Sequence, residues 1–328
     1  MHGLALTIDT GTSNTRIRAW RDACLIGGAE APVGVRDTAR TGSHDILRAG
    51  IRDAIWEALR TSDSNEGEVS LFLGSGMITS ALGLHELPHI VAPARIDELA
   101  AGMRSALFAD IVSSPIWFIP GVRHDAAPVS IDDASRMDMM RGEETEVIGL
   151  LARTGLSDPM VVLLPGSHAK FVEVQADGTI TRCLTTLSGE LLDLLVHQSV
   201  LASGLKQGWP ATLDPAAVIA GARLSRSEGI SRAAFTTRAL ELFSSTSETG
   251  RFSFLLGTVL VQDLMSCQAA WLRAKKLVVC GRPTLQAAYA AIARDVVGIE
   301  TVMTPDQAML DELAGHGALA IARRRGLL

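Results

Sequence analysis

The sequence contains four cysteines, and their spacing matches no metal-binding or disulfide pattern. They are scattered along the chain without a CxxC or CxxH pairing, at Cys24, Cys183, Cys267 and Cys280. Neither a zinc site nor a disulfide framework is therefore indicated, and a reducing cytoplasm is the predicted setting. The N-terminus also lacks the positive region, apolar core and small-residue cleavage site that are typical of a signal peptide.

Long apolar runs and an excess of basic residues are missing as well. No uninterrupted apolar stretch reaches the roughly 18 residues that a membrane span needs. The best candidate, residues 252–272, is interrupted by Gln262, Asp263 and Gln268 and is predicted to be a buried helix. The net charge of −6 argues against a nucleic-acid-binding surface. The sequence thus predicts no membrane partner and no nucleic-acid partner.

What the sequence does contain is a regular alternation of strand and helix signals along 328 residues. This length suits two domains, and 47% apolar with 20% charged residues is typical of a well-packed soluble globule rather than a disordered chain. Short apolar or alternating runs predict strands near residues 5–9, 15–20, 31–36, 69–73, 115–119, 160–164, 170–174, 180–184, 277–280 and 299–303. Helical spacing predicts helices at residues 45–60, 96–108 and 145–152, and the polar segment 124–138 is predicted to be an exposed loop.

One pattern occurs twice. Near the start, ALTIDTGTSNTRIRAW (residues 5–20) gives a strand, a turn of small and hydroxyl residues, and a second strand. The order of strand, turn and strand returns in MVVLLPGSHAKFVEVQADGTITRCLTTLSGE (residues 160–190), where Asp177-Gly178 marks a further hairpin turn. We therefore predict two related domains, at residues 1–155 and 156–328, with the last helix packing back on the first domain.

The duplicated turns suggest phosphate binding. Backbone N–H groups and Ser or Thr hydroxyls at such turns bind phosphate oxygens, and two of these turns can face each other across a cleft. Asp9 would repel a phosphate directly, but it can hold a Mg²⁺ ion that retains much of its water. An ordinary Asp-x-Gly turn is the alternative interpretation. The acidic residues Asp132, Asp133 and Asp138 in the polar loop could bind a metal, but a solvated face is the favoured interpretation.

Several stretches are similar to a known family. DTGTSNTR (9–16) resembles the first phosphate motif of the sugar kinase, Hsp70 and actin superfamily. Within that superfamily, three stretches resemble the 2-dehydro-3-deoxygalactonokinase family, namely MRGEETEVIG (140–149), LPGSHAKF (164–171) and LTTLSGELLDLL (184–195), with looser similarity at LGSGMITS (73–80) and IPGVRHD (119–125). This resemblance implies two ribonuclease H-like domains facing a central cleft, the actin-like ATPase fold.

The same resemblance implies an activity. It is the Mg²⁺-dependent transfer of the ATP γ-phosphate to the terminal hydroxyl of 2-dehydro-3-deoxy-D-galactonate, a small sugar acid, in galactonate catabolism. Phosphoryl transfer needs positioning, charge stabilisation and a base for the hydroxyl proton. The alternatives are a kinase for another sugar or keto-deoxy sugar acid, and a non-catalytic sugar or nucleotide sensor. Whether the chain forms a homodimer is left open.

Site residues follow from the matched motifs. The base is implied to be Glu143 or Glu144, with Arg141 as a partner for a carboxylate or phosphate. The implied cofactor residues are Asp9 (also the metal residue), Gly11, Thr12, Ser13, Asn14, Arg16, Gly166, Ser167, His168, Lys170 and, for adenosine, Gly281. The implied substrate residues are Ser75, Gly76, Met77, Ser80, Thr186 and Glu190. Structural interpretations compete at several positions: the glutamates complement a helix dipole, Arg141 makes an ion pair, Lys170 faces solvent, and Ser188 caps a helix.

Overall fold

The computed structural model describes residues 3–125, 127–271 and 276–328. Contacts between residues divide the chain into two compact units. The first consists of Met1–Asp158, Val174–Cys183 and Asp311–Leu328, and the second of Pro159–Glu173 and Leu184–Leu310. Within the described residues, no helix is both long enough and apolar enough to cross a bilayer.

The elements up to residue 158 carry one six-stranded and one three-stranded sheet. In chain order they are β1 (Leu4–Thr10), β2 (Thr15–Arg21), β3 (Cys24–Ala31), α1 (Val35–Thr41), α2 (Asp45–Thr61), β4 (Val69–Gly76), β5 (Ile90–Val91), α3 (Ile96–Gly102), β6 (Arg104–Ala106), β7 (Ile116–Phe118), β8 (Val122–Arg123), β9 (Met139–Met140) and α4 (Glu143–Thr154). The sheet orders are β3-β2-β1-β4-β7-β6 and β5-β8-β9.

The remaining elements form a five-stranded sheet with its helices. They are β10 (Met160–Leu164), β11 (Ala169–Val174), β12 (Ile180–Thr186), α5 (Ser188–Gln198), α6 (Pro215–Glu228), α7 (Ile230–Phe243), α8 (Glu248–Trp271), β13 (Lys276–Val279), α9 (Pro283–Ile292), β14 (Thr301–Met303), α10 (Gln307–Leu310) and α11 (Leu313–Arg325). The sheet order is β12-β11-β10-β13-β14. Residue 272, the end of the predicted buried helix, lies outside the described residues.

The two larger sheets repeat one plan, as the sequence predicts. In each sheet, three strands that are consecutive in the chain lie side by side, and the first of them is also paired with a later, parallel strand. This parallel partner is β4 for β1 and β13 for β10. Strand β1 lies inside its sheet and both of its faces are covered, because Leu4, Leu6 and Ile8 on one face and Ala5 and Thr7 on the other are all buried. Parallel strands place their carboxyl ends at one edge, which is where turns can collect functional side chains.

Two predicted elements are wrong. Residues 31–36 do not form the third strand, because Asp22 and Ala23 adopt positive φ and close a tight hairpin that starts β3 already at Cys24. The helix predicted at residues 96–108 ends at Gly102, because residues 104–106 pair with β7 and extend the sheet edge. Here tertiary pairing overrides the local helical pattern.

The C-terminal helix α11 packs closely on α4. A Cβ added at Gly317 would lie only 1.8 Å from the carbonyl oxygen of Thr145, and one added at Gly149 would lie 2.0 Å from that of Leu313. Glycines at the crossing therefore let the two helix backbones touch. This contact fixes α4, the helix that begins with the glutamate pair, against the rest of the first unit.

Candidate active site

In the first unit, predicted site residues meet at the carboxyl ends of β1 and β4. Asp9 is aligned with Ser75 on β4 and with Arg16 on β2, and Arg16 Nη1 lies 3.5 Å from Asp9 Oδ2. The strand β4 continues through Gly76, so Ser75 and Gly76 belong to a strand that extends beyond its predicted end at residue 73. Gly76 has φ +80°, and an added Cβ would lie 3.0 Å from Asp9 Oδ1.

The start of α4 reaches the same place. Gly142 has φ +117°, and a Cβ added there would lie 3.1 Å from the Cα of Gly76. The tight entry that glycine permits allows two backbone N–H groups to hold the following carboxylates: the N–H of Arg141 donates to Glu143 Oε2 at 2.9 Å, and that of Gly142 donates to both oxygens of Glu144 at 2.9 Å. The two glutamates are therefore positioned by the backbone.

The environments of Glu143 and Glu144 differ. Glu144 is completely buried, and burial together with the charge of Glu143 raises its pKa to about 8. Glu143 is only half-buried and belongs to a group of interacting carboxylates with Asp9 and Glu146. Burial is the largest cause that raises the pKa of Asp9, and burial followed by the charge of Asp9 raises that of Glu146 to about 8.

Glu146 is a site residue that the sequence analysis misses. It lies three positions after Glu143 on α4, a spacing that places two side chains on the same face of a helix. That spacing was available in the motif RGEETE, but only the fold shows that this face looks towards Asp9. Its carboxyl, whose pKa is raised to about 8, is a third acidic group beside Asp9 and Glu143.

Backbone hydrogen bonds hold the first predicted phosphate turn in place. The N–H of Gly11 donates to the carbonyl of Asn14 at 2.8 Å, and the carbonyl of Thr12 accepts from the N–H of Arg36 in α1 at 2.9 Å. Thr12 and Asn14 are exposed, and Ser13 is half-buried. The turn thus has a fixed backbone with polar side chains directed outward, as a phosphate site requires.

The guanidinium of Arg141 holds the predicted substrate loop. It donates to Thr79 O at 2.5 Å and Thr79 Oγ1 at 2.6 Å, to Leu87 O at 3.0 Å and to His89 Nδ1 at 3.2 Å. The segment from Met77 to Ser80 is a short 3-10 turn closed by a hydrogen bond from Ser80 Oγ to Met77 O of 2.7 Å. Burial lowers the pKa of Arg141. The contacts of Arg141 connect the entry of α4 to this turn.

In the second unit, the second predicted phosphate turn is supported by the start of α5. The N–H of Glu190 donates to Ser167 O at 2.9 Å, and its carboxylate lies 3.0 Å from His168 Nε2. A Cβ added at Gly189 would lie 2.1 Å from Gly166 O. Gly281, with φ +147°, lies against Pro165, so the glycine after β13 adjoins the same turn.

Lys170 and Ser188 differ from their structural interpretations. Lys170 is 9% exposed and donates to Thr185 Oγ1 at 2.7 Å, so it does not face solvent. Ser188 is the first residue of α5 and not its N-cap, which is Leu187. Its hydroxyl lies 3.3 Å from Thr186 Oγ1 and also hydrogen-bonds Asp263.

Asp263 forms the centre of a buried network that the sequence analysis does not find. It is 2% exposed, accepts a hydrogen bond of 2.5 Å from the hydroxyl of Tyr289, and accepts from Ser188 and Thr186. Burial raises the pKa of the carboxyl. The network connects α8 and α9 with the first turn of α5. It therefore supports the helix start that contacts the second phosphate turn.

The electrostatics of Glu144 give a testable pH dependence. Its ordinary pKa is 4.5, and its native value is about 8. Between these values the native state keeps a proton that the unfolded chain has released, so the free energy of unfolding falls as the pH rises from 4.5 to 8. Glu144→Gln should remove this loss. On going from pH 5 to pH 8.5, we expect the free energy of unfolding of the variant, measured by urea unfolding, to rise by about 2–4 kcal/mol relative to that of wild type.

A matched control is the same substitution at Glu57, an exposed residue of α2 that is paired with Arg60. Glu57→Gln should leave the difference between the two pH values close to that of wild type. If Glu144→Gln has the same pH dependence as wild type, the carboxyl of Glu144 titrates near its ordinary pKa and the interpretation is wrong.

Comparisons with known proteins give one family. The model of the family described as 2-keto-3-deoxy-galactonokinase matches residues 9–315. A protein of Rhizobium meliloti (strain 1021), provisionally named 2-dehydro-3-deoxygalactonokinase DgoK1, is 26% identical over 272 residues, which are 81% of each chain.

Two solved structures show the fold. A Sinorhizobium meliloti protein, provisionally described as a 2-dehydro-3-deoxygalactonokinase, is 23% identical with a TM-score of 0.77 and covers 97% of this chain and 98% of its own. Component A of the Acidaminococcus fermentans (R)-2-hydroxyglutaryl-CoA dehydratase is 13% identical, with a TM-score of 0.54 and 98% of both chains covered. The predicted actin-like α/β fold is thereby confirmed.

Proposed function

Because the chain belongs to the 2-keto-3-deoxy-galactonokinase family, we propose that it transfers the γ-phosphate of ATP to the terminal hydroxyl of 2-dehydro-3-deoxy-D-galactonate and yields the 6-phosphate. The observation that carries this proposal is the meeting of Glu143, Asp9 and Gly76 at one edge of the first sheet. A carboxylate at a helix start, next to a strand-end aspartate, supplies a base and a cation-binding group for phosphoryl transfer.

Glu143 is the base in this proposal. One of its oxygens accepts the N–H of Arg141, and the side chain is half-buried, so the other oxygen can accept the proton of the substrate hydroxyl. Glu144 is unsuited to this role because it is inaccessible and protonated at neutral pH. We assign it the task of fixing the helix entry through Gly142.

Asp9 is the proposed residue for Mg²⁺. The described residues contain no ready group of three or more metal-ligating side chains, which fits an ion that keeps several waters and borrows one or two carboxylates. Besides burial, the charges of Asp9 and Glu143 raise the pKa of the nearby Glu146 carboxyl, and this concentration of acidic groups favours a cation there. When bound, Mg²⁺ neutralises the charge that develops on the phosphate oxygens.

The remaining assignments concern ATP and the sugar acid. We assign the turn from Gly11 to Asn14, and the turn with Gly166 and Ser167, to the phosphates. Lys170 supplies positive charge to the second turn, while Gly281 leaves room for the nucleoside. We assign the segment from Ser75 to Ser80, held by Arg141, to the substrate hydroxyls. Met77 and Ser80 are its partly exposed residues, whereas Ser75 is buried.

The test is a coupled assay of ADP release with a panel of acceptors. It should contain 2-dehydro-3-deoxygalactonate, its gluconate isomer, galactonate and galactose. We expect the highest kcat/KM for 2-dehydro-3-deoxygalactonate and no turnover without a divalent cation. Equal turnover of all acceptors would contradict the substrate, and absence of turnover with all of them would favour the sensor alternative.

A further inference from the structure

A second arginine lies beside the substrate loop in the first unit, and no role has been assigned to it. Arg123 ends the short strand β8, between Val91 of β5 and Met139 of β9. Gly121 precedes it by two residues, and a Cβ added at Gly121 would lie 2.9 Å from His89 Cδ2 and 3.3 Å from the Cα of Arg141. Arg123 lies close to His89 as well, because its positive charge acts on the imidazole.

The positive charges of Arg123 and Arg141 both act on His89. Burial and these two guanidinium groups lower its pKa to about 4, so the imidazole is neutral near pH 7. Because arginine can only donate, the bond from Arg141 makes Nδ1 of His89 the acceptor. The proton of the neutral ring is therefore on Nε2, which makes Nε2 a donor.

Arg141 and Arg123 differ in how many hydrogen-bond acceptors they contact. The guanidinium of Arg141 has four acceptors in the segment from Thr79 to His89. In contrast, Nε of Arg123 is buried and has no hydrogen-bond partner within the described part of the chain. A buried charged donor without an acceptor is costly, which suggests that a ligand supplies the acceptor.

The carboxylates of the neighbouring loop do not serve as that acceptor. Asp125 and Asp133 are both paired with Arg136, at 3.2 Å and 3.0 Å. Glu86 and Glu144 act electrostatically on Arg141. The ion pairs within the described part of this region therefore leave the positive charge of Arg123 for an anion.

We propose that Arg123 binds the carboxylate of the substrate and thereby selects a sugar acid over a neutral sugar, an inference that rests on the proposed function. The planar guanidinium offers parallel N–H donors that match the two oxygens of a carboxylate. The N–H of His89 Nε2 adds a neutral donor. Arg141 holds the adjoining loop in place and does not itself bind the carboxylate.

The experiment compares the acid with its primary amide as acceptors in wild type and in Arg123→Gln. We expect Arg123→Gln to raise the KM for the sugar acid by about 10- to 100-fold, as the loss of a charged hydrogen bond predicts. The KM for ATP should change little, and the preference for the acid over the amide should disappear. Arg123→Lys, which keeps the charge without the fork, should recover part of this preference.

Arg136→Gln is the matched control, because Arg136 lies in the loop that follows β8 but is exposed and paired with aspartates. It should keep the preference and the KM of wild type. If wild type prefers the acid and Arg123→Gln keeps this preference, the role of Arg123 is wrong while the proposed function stands. If folded wild type uses acid and amide equally well, the inference is wrong while the proposed function stands, because the acid is still phosphorylated. If folded wild type turns over neither acceptor, the proposed function is wrong.

Discussion

Replacing Glu143 by glutamine should lower kcat by about 10²- to 10⁴-fold, the range that loss of a general base produces. The amide keeps the shape of the side chain and can still accept the N–H of Arg141, so the entry of α4 should persist. It cannot take the proton of the substrate hydroxyl. We therefore expect the KM values for ATP and the sugar acid to remain close to those of wild type, because ground-state binding is kept.

Glu144→Gln is the matched control in the same assay. Glu144 is fully buried and protonated at neutral pH, and an amide oxygen can replace its acceptors for the N–H of Gly142. Its kcat should stay within about 10-fold of wild type. If Glu144→Gln loses turnover while Glu143→Gln keeps it, the two roles are reversed. If both variants stay active, the base is another group.

The parts of the fold that local patterns determine were predictable. The hairpin of β1 and β2 follows from alternating residues on both sides of a small-residue turn, and the predicted residues 15–20 lie within the observed Thr15–Arg21. The start of β3 was not predictable, because Asp22 and Ala23 adopt a positive φ that non-glycine residues rarely take. The edge strand β6 depends on its pairing with β7, which no local pattern reveals.

The site also has features that local patterns predict and features that depend on the fold. The motif at residues 141–145 indicated the glutamate pair, but only burial distinguishes Glu144 from Glu143. Asp263 appeared in the sequence merely as a polar interruption of an apolar run. Its contacts with Tyr289 and Ser188 bring together positions far apart in the chain, so a single sequence carries no signal for them.

Asp9→Asn should lower kcat/KM for ATP by about 10²- to 10³-fold and raise the Mg²⁺ concentration for half-maximal activity. The amide is a weaker ligand for a hard cation than a carboxylate. Thermal unfolding without Mg²⁺ separates this effect from a folding defect. Burial and Glu143 raise the pKa of Asp9, and Asp9 in turn raises that of Glu146, so its charge opposes folding in the absence of a cation.

Asp9→Asn should consequently unfold at the same temperature as wild type or a higher one, although its activity collapses. The control is Asp53→Asn on α2, an exposed aspartate beside Arg52, which should change neither activity nor Mg²⁺ dependence. A variant at Asp9 that loses activity together with stability would indicate a structural role. One that keeps the Mg²⁺ dependence of wild type would exclude Asp9 as the metal-binding group, because the carboxylate at the end of β1 would then contribute nothing to the affinity for the ion.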